Sequence, residues 1–359
     1  MTVHPYRLGF AVKVLGNGGL KTADTRRWQN RPHLSRSLEL LDVVFDYLGA
    51  NGISVYRLPS GTVPYGTHPD LPTFDYRQQI DTCADRLAAL GAKARELGLR
   101  LSTHPGQYTV LSTPDAELAA KSSADLEQDA LLLDALGAGP EAVVVVHAGG
   151  GYGDKAAALD RWARAYERLS ERARRRVVVE NDERTFDVAD VVALHDRTGV
   201  RVVFDVHHHR LNRPPGLDEK RALELAYGTW GGDARPKVHL SSPRTELRVV
   251  KRRMRGERGF RRIHVAPRLD QHADFVPPWD LAALLHIAPG PLDVMVEAKA
   301  KDLAVLALRA QLARVEPDLA AAEERTRPPS PPRSASRPAA EVPTSGASPS
   351  SRRAPASKA

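Results

Sequence analysis

The chain has 359 residues, 42% of them hydrophobic, with a formal net charge of +8 and a single cysteine. Those values allow one large domain or two small ones, and they exclude a disulfide framework or a cysteine-rich zinc module. No apolar run approaches the roughly 20 residues that cross a bilayer, and the opening MTVHPYRLGFAVKV lacks the pattern of a signal peptide; a cytoplasmic protein with no membrane contact is expected.

From the N-terminus, short β-branched runs alternate with segments of helical period. Strands are predicted at 7–15, 53–58, 99–104, 142–147, 176–182, 201–206, 236–241 and 292–299. Helical patterns fill the gaps at 34–52, 77–97, 115–137, 154–174, 187–198, 218–228, 277–287 and 300–314. Cys83 falls inside one of these helices and is expected to be a small buried apolar residue. Several strands are continuous apolar runs, as expected where both faces of a parallel sheet are covered. Eight strand–helix alternations are the pattern of a TIM (β/α)8 barrel. A doubly wound sheet is the rival, but no glycine-rich fingerprint follows the first strand.

Between the last two strands, 241–276 reads as a long loop, and loops of that length are usually functional. It contains KRRMRGERGFRR, residues 251–262, with seven Lys or Arg against one Glu. The barrel domain is expected to span 1–316, and 317–359 to be a disordered tail rich in Pro, Ser, Ala and Arg. Outside the basic run and the last 34 residues the chain is net negative. A local basic segment on such a body suggests a polyanionic partner.

In a TIM barrel the chemistry sits at the C-terminal ends of the strands. Predicted strands three to eight carry His104, His147, Glu180, Asp205, His239 and Glu297 at or near those ends. Each residue type ligates divalent metals. Three carboxylates on one small face repel one another unless cations neutralise them, and two or three metals so held suit phosphoryl chemistry. Lys237 lies two residues before His239 and points to the same side of its strand; a lysine buried there must be neutral, paired or modified. His272, in the long loop, could fold back over the cluster.

The segments LSTHPGQYTVLSTPD, VVVVHAGGGYGDK, VVVENDERTF, VVFDVHHHRLN, RPKVHLSS, HADF and DVMVEAK, in this order, resemble the UV damage endonucleases, from about Arg7 to about Leu308. The resemblance implies a TIM barrel related to endonuclease IV. It implies two to three divalent ions, typically Mn2+ with Mg2+ or Zn2+ as alternatives, and incision of double-stranded DNA 5′ to cyclobutane dimers, 6-4 photoproducts and some abasic sites. By the same resemblance the metal ligands are His104, His147, Glu180, Asp205, His208, His239, His272 and Glu297, with Lys237 matching a lysine that can be carboxylated. Gln107 and Tyr108 match a pair that probes the duplex, and His68 a histidine near the site. Phe10 and Val14 stand where relatives carry a lesion-facing tyrosine and asparagine, which puts lesion range in question.

In the triple histidine, the family spacing selects His208 as ligand; His209 is expected to support the site from behind, as is Asn181, and His207 to be a spectator. Lys251, Arg252, Arg253 and Arg255 are expected phosphate contacts. A monomer is expected by analogy. The competing expectations are a xylose isomerase-like enzyme acting on a sugar, and a damage-binding relative without catalysis.

Overall fold

The computed structural model describes residues 3–325 apart from 233, 255 and 257. Its centre is a closed barrel of eight parallel strands: β1 (Tyr6–Ala11), β2 (Val55–Arg57), β3 (Arg100–Thr103), β4 (Val143–His147), β5 (Val177–Glu180), β6 (Arg201–Asp205), β7 (Lys237–Leu240) and β12 (Leu292–Val296). They follow one another around the barrel in chain order, and β12 closes on β1 through five paired positions from Tyr6–Leu292 to Phe10–Val296. The TIM barrel expected from the alternation is therefore what forms.

Strand alternation sorts the valines. Val144, Val146, Val177, Val179 and Val202 face outward into the main core beneath the helices, whereas Val143, Val145, Val178 and Val203 form a separate inner cluster. The inner stripe then continues upward: Val145 leads to His147, Val178 to Glu180 and Val203 to Asp205. Gly9 also faces inward, and a Cβ there would lie 1.7 Å from the Val55 carbonyl oxygen, so β1 and β2 can approach only with glycine at this point.

The outer ring comprises α1 (Leu34–Ala50), α2 (Tyr76–Thr82), α3 (Ala84–Glu96), α4 (Ala116–Ala135), α5 (Lys155–Glu167), α6 (Glu171–Arg176), α7 (Val188–Thr198), α8 (Val206–Leu211), α9 (Glu219–Gly228), α10 (Pro278–Ile287), α11 (Lys301–Val315) and α12 (Pro317–Ala321). Aspartates start many of them. Asp115, Asp154, Asp187 and Asp218 each accept a backbone N–H in the first turn, and Asp187 with Asp190 forms a capping box.

Several expected elements change shape. The helix at 77–97 breaks at Cys83, which is buried as expected, and the helix at 154–174 restarts after Ser170 caps α6. The first strand stops at Ala11 rather than residue 15, because Val12 takes φ 67. That conformation is unfavourable for a β-branched residue; here the Tyr56 hydroxyl donates to the Val12 carbonyl at 2.6 Å and the Val12 N–H donates to the Arg57 carbonyl at 3.0 Å.

The expected loop at 241–276 is instead largely two antiparallel pairs, β8 (Pro243–Arg244) with β11 (Arg268–His272) and β9 (Arg248–Arg252) with β10 (Arg261–Val265). The fold also runs past the expected boundary at 316. Leu319 of α12 is buried, Glu323 bridges to Tyr6, and Arg309 pairs with Glu323 at 2.5 Å. The remainder of the expected tail, residues 326–359, lies outside the described residues. No helix among the described residues is long and apolar enough to cross a membrane.

Candidate metal centre

The inward stripes end together at the C-terminal mouth of the barrel. The register sets His147 beside Glu180 and Asp205 beside His239 on adjacent strands. His104 and Glu297 follow the last residues of β3 and β12. Three donor groups result: His104, His147 and Glu180; Glu180, Asp205 and His208; Asp205, His239 and Glu297. Within each, the possible ligand atoms lie within 4.8 Å of one another. Glu180 belongs to two groups and Asp205 to two, so the groups form one chain across the mouth.

The six residues expected from strand ends are thus brought together. His208 joins them from the first turns of α8, where Asp205 caps the helix: Asp205 Oδ1 accepts the His208 N–H at 2.8 Å. That bond leaves Asp205 Oδ2 aimed at the cluster, 3.8 Å from His208 Nδ1. His272 ends β11, which folds back so that its Nδ1 lies 3.8 Å from Glu297 Oε2 and 2.7 Å from the Glu297 carbonyl.

Backbone carbonyls orient two more rings. His104 Nδ1 meets the Pro105 carbonyl at 3.0 Å and His208 Nδ1 the Asn181 carbonyl at 3.0 Å, which leaves Nε2 as the free acceptor when Nδ1 donates. Asn181 ties β5 to β6 as well, accepting the Asp205 N–H at 2.9 Å and donating to its carbonyl at 3.1 Å.

Charge is unevenly spread over these groups. Burial, then the charges of Glu297 and Asp205, push Glu180 well above the usual carboxylate range. Burial acts on Glu297 in the same sense, but Arg57 and the imidazoles outweigh it and hold Glu297 well below that range. Burial, then Arg57, lowers His104 to about 4, and burial with the neighbouring imidazoles lowers His147 to about 3. Both rings are therefore neutral donors near pH 7. Among the described residues, Glu180 Oε2, Asp205 Oδ2 and His147 Nδ1 are buried without a hydrogen-bond partner. Buried carboxylate oxygens left so are costly, and a divalent cation among these O and N donors fits them.

Lys237 is fully buried below the cluster, its Nζ donating to Ser102 Oγ at 2.9 Å. Burial, then Arg100 and Arg57, lowers its pKa well below the usual value, which favours the neutral amine. Arg57, at the end of β2, is a site residue that the sequence reading missed. Its guanidinium pairs with Glu297 and lies 3.0 Å from His239 Nε2. The strand-end rule applied to the second strand as well would have found it.

Other expected residues fall elsewhere. Phe10 and Val14 are not at the mouth. Alternation along β1 turns Phe10 outward against Tyr56, at 5.5 Å between centroids, with Phe45 of α1 beyond, and Val14 is buried in the same outer core. His68 is exposed against Tyr65 rather than in the cluster. Gln107 and Tyr108 are exposed on the turn after β3, Tyr108 by 73%. Gln107 lines a cavity of about 310 Å³ together with His104, His147, Asp182, Glu183 and Arg184.

Within the triple histidine the two flanking rings have different surroundings. The His209 ring lies tilted against Phe204 with centroids 5.3 Å apart, and among the described residues neither of its nitrogens has a hydrogen-bond partner, whereas the His207 ring meets His272 edge-on at 5.6 Å. Successive residues of a helix are turned by about 100°, so adjacent histidines cannot share a face. Of the basic-run residues, Lys251, Arg252 and Arg253 are exposed and Arg255 lies outside the described residues.

A closed parallel barrel with a chained His/Asp/Glu cluster at its mouth defines a TIM-barrel protein with a candidate metal centre. The chain belongs to the family described as UV-endonuclease UvdE, whose sequence model it matches over residues 33–322. It is 29% identical over 324 residues to the UV DNA damage endonuclease of Bacillus velezensis, covering 86% of this chain and 95% of that protein. It is 31% identical over 286 residues to the one of Bacillus mycoides, covering 78% and 82%. The crystal structure of SacUVDE superposes with a TM-score of 0.70 at 25% identity, covering 86% of this chain and 99% of that one. Endonuclease IV from Thermus thermophilus shares the fold, with a TM-score of 0.53 at 18% identity, covering 86% and 99%.

Proposed function

We propose that this chain is a metal-dependent DNA repair endonuclease that nicks duplex DNA 5′ to UV photoproducts, cyclobutane dimers and 6-4 photoproducts, with abasic sites as further substrates. The observation that carries the proposal is the chained donor set, in which Glu180 and Asp205 each serve two groups and keep a buried oxygen unpartnered. The relatives' names point to the same activity.

Residues His104, His147, Glu180, Asp205, His208, His239 and Glu297 would hold two to three divalent ions, Mn2+ by family resemblance, with His272 beside them. Bound there, such ions would supply a water of lowered pKa and stabilise charge on the phosphate. The chain's own part is to keep His104 and His147 neutral, to hold Glu297 ionised beside Arg57, and to fix Asp205 by the α8 cap. Lys237, a buried amine, would carry the carboxylation the resemblance implies. Gln107 and Tyr108 project beside the cavity, where an amide and an aromatic ring would fill the gap left by flipped nucleotides.

The enzyme would act as a cytoplasmic monomer. Family membership across most of the chain favours this activity over sugar isomerisation, and the intact donor set favours turnover over mere damage binding. Incision of duplexes carrying one defined lesion, with manganese supplied, tests the proposal. Nicking on the 5′ side of a photoproduct is expected; intact duplex with every divalent metal tried would overturn it.

A further inference from the structure

We propose that the β9–β10 ribbon is an arm that enters a groove of the DNA duplex and grips it whether or not a lesion is present. The inference rests on the reading that the chain acts on duplex DNA, but not on the metal centre.

The ribbon is a sheet of only two strands, running in register from Arg248–Val265 to Arg252–Arg261. Every described residue from 249 to 262 is exposed, so neither face is covered near the tip. Such ribbons are marginal on their own, and this one also places like charges directly opposite each other, Lys251 facing Arg262. Cross-strand like charges are destabilising. At the base the cations are neutralised: Arg248 pairs with Asp274, and Arg268 with Asp270 at 2.5 Å. Towards the tip, no ion pair of Lys251, Arg252, Arg253 or Arg262 is present among the described residues. The Lys251–Arg262 pair therefore keeps a repulsion that a polyanion would relieve.

The faces decide which polyanion. Directly opposite residues share a face and successive residues alternate. Arg252 thus lies on one side of the ribbon, and Lys251 and Arg262 on the other. A flat anionic surface, such as a lipid bilayer or an acidic protein face, meets only one side. Two phosphate rails with a slot between them meet both, and a DNA major groove about 12 Å wide admits a two-stranded ribbon. The tip also carries apolar side chains in water, Phe260 71% exposed and Met254 38% exposed. Base edges and partly opened steps take such groups.

The test measures binding of the full chain to a short undamaged duplex across a salt series. Combined Lys251→Gln, Arg252→Gln, Arg253→Gln and Arg262→Gln should reduce the slope of log affinity against log salt by about 3–4, at about 0.9 for each phosphate no longer neutralised. Affinity for a lesion duplex should fall by the same factor. Phe260→Ala should weaken binding several-fold with the slope unchanged. The pair Lys251→Gln/Arg262→Gln, lowering the slope by about 2, serves if the fourfold variant does not fold by circular dichroism.

An unchanged slope in a folded variant overturns the proposal. So does a loss confined to lesion duplex, or a loss of binding to phosphatidylglycerol vesicles with DNA binding intact. A wild-type chain that nicks no lesion but shows the slope change loses the proposed activity and keeps the arm; the reverse pattern removes the arm alone.

Discussion

Two layers of buried charge occupy the same barrel interior and are built on opposite terms. In the lower layer Asp293 on β12 is surrounded by cations. Arg7 donates to both its oxygens at 2.6 and 2.5 Å, Arg100 donates at 2.5 Å, and Arg235 lies 3.7 Å away. Burial works against ionisation, yet these guanidiniums hold Asp293 below its ordinary pKa. In the upper layer Glu297, four residues along the same strand line, shares Arg57 with a cluster whose Glu180 and Asp205 oxygens remain unpartnered. A layer whose buried carboxylate is met by its own cations is structural. A layer left short of positive charge is arranged to receive it from outside.

Breaking the upper layer should have the larger effect on function. Glu180→Gln should lower nicking at least about a hundredfold and reduce bound metal by elemental analysis. It should also make the metal-free protein more stable, because it removes a carboxylate that Glu297 and Asp205 repel. A metal-free melting temperature below that of wild type would contradict the charge-deficit account. Adding metal should stabilise the wild type by roughly 3 kcal/mol at a hundredfold excess over Kd, and the variant much less.

Breaking the lower layer should cost stability instead. Arg100→Met strips Asp293 of a fully buried partner and should destabilise by about 3–5 kcal/mol in denaturant titration. Metal content of the folded fraction should match wild type. Metal loss at full occupancy of the fold would show that the two layers are not independent.

A third buried carboxylate sharpens the contrast. Asp129 on α4 has no cation beside it among the described residues, and burial raises its pKa to about 7 although Thr103 and Gln128 oppose the shift. The folded value lies above the unfolded one, so its contribution is full below about pH 4 and is lost as pH rises through 7. Asp129→Asn should therefore remain stable relative to wild type as pH rises from 4 to 8, by roughly 2–4 kcal/mol at the upper end. Parallel pH–stability curves for the two proteins would show that Asp129 is ionised throughout.

The smallest effect is expected beside the cluster. His209→Leu replaces a ring whose nitrogens have no hydrogen-bond partner among the described residues and which packs on Phe204. It should change stability by less than about 1 kcal/mol and leave metal content alone. His207→Leu touches the ring against His272 and should weaken metal retention in a chelator competition. The opposite ranking would restore His209 as the supporting residue.

The barrel was legible because it repeats. Eight apolar strands, each followed by a helix, leave one closed parallel arrangement, and period-two alternation then sets which residues at the strand ends face inward. That local rule is enough to bring His104, His147, Glu180, Asp205, His239 and Glu297 together. Phe10 departs from the expected place because strand parity overrides family position: Arg7, Gly9 and Ala11 face the interior and Phe10 does not. The roles of His207 and His209 depend on where α8 begins, which Asp205 decides by capping it.

What the sequence by itself determined is the class of fold and the composition of the strand-end cluster, since both follow from periodicities confined to a few residues. Only the tertiary structure decided how charge is shared. Arg57 meets Glu297 across 240 positions of chain, and Arg100 meets Asp293 across 193. Electrostatic energy depends on distance and burial, and neither is written in local spacing. The basic segment follows the same rule: as a string it was a charged loop, and only pairing into a ribbon put its cations on two opposed faces.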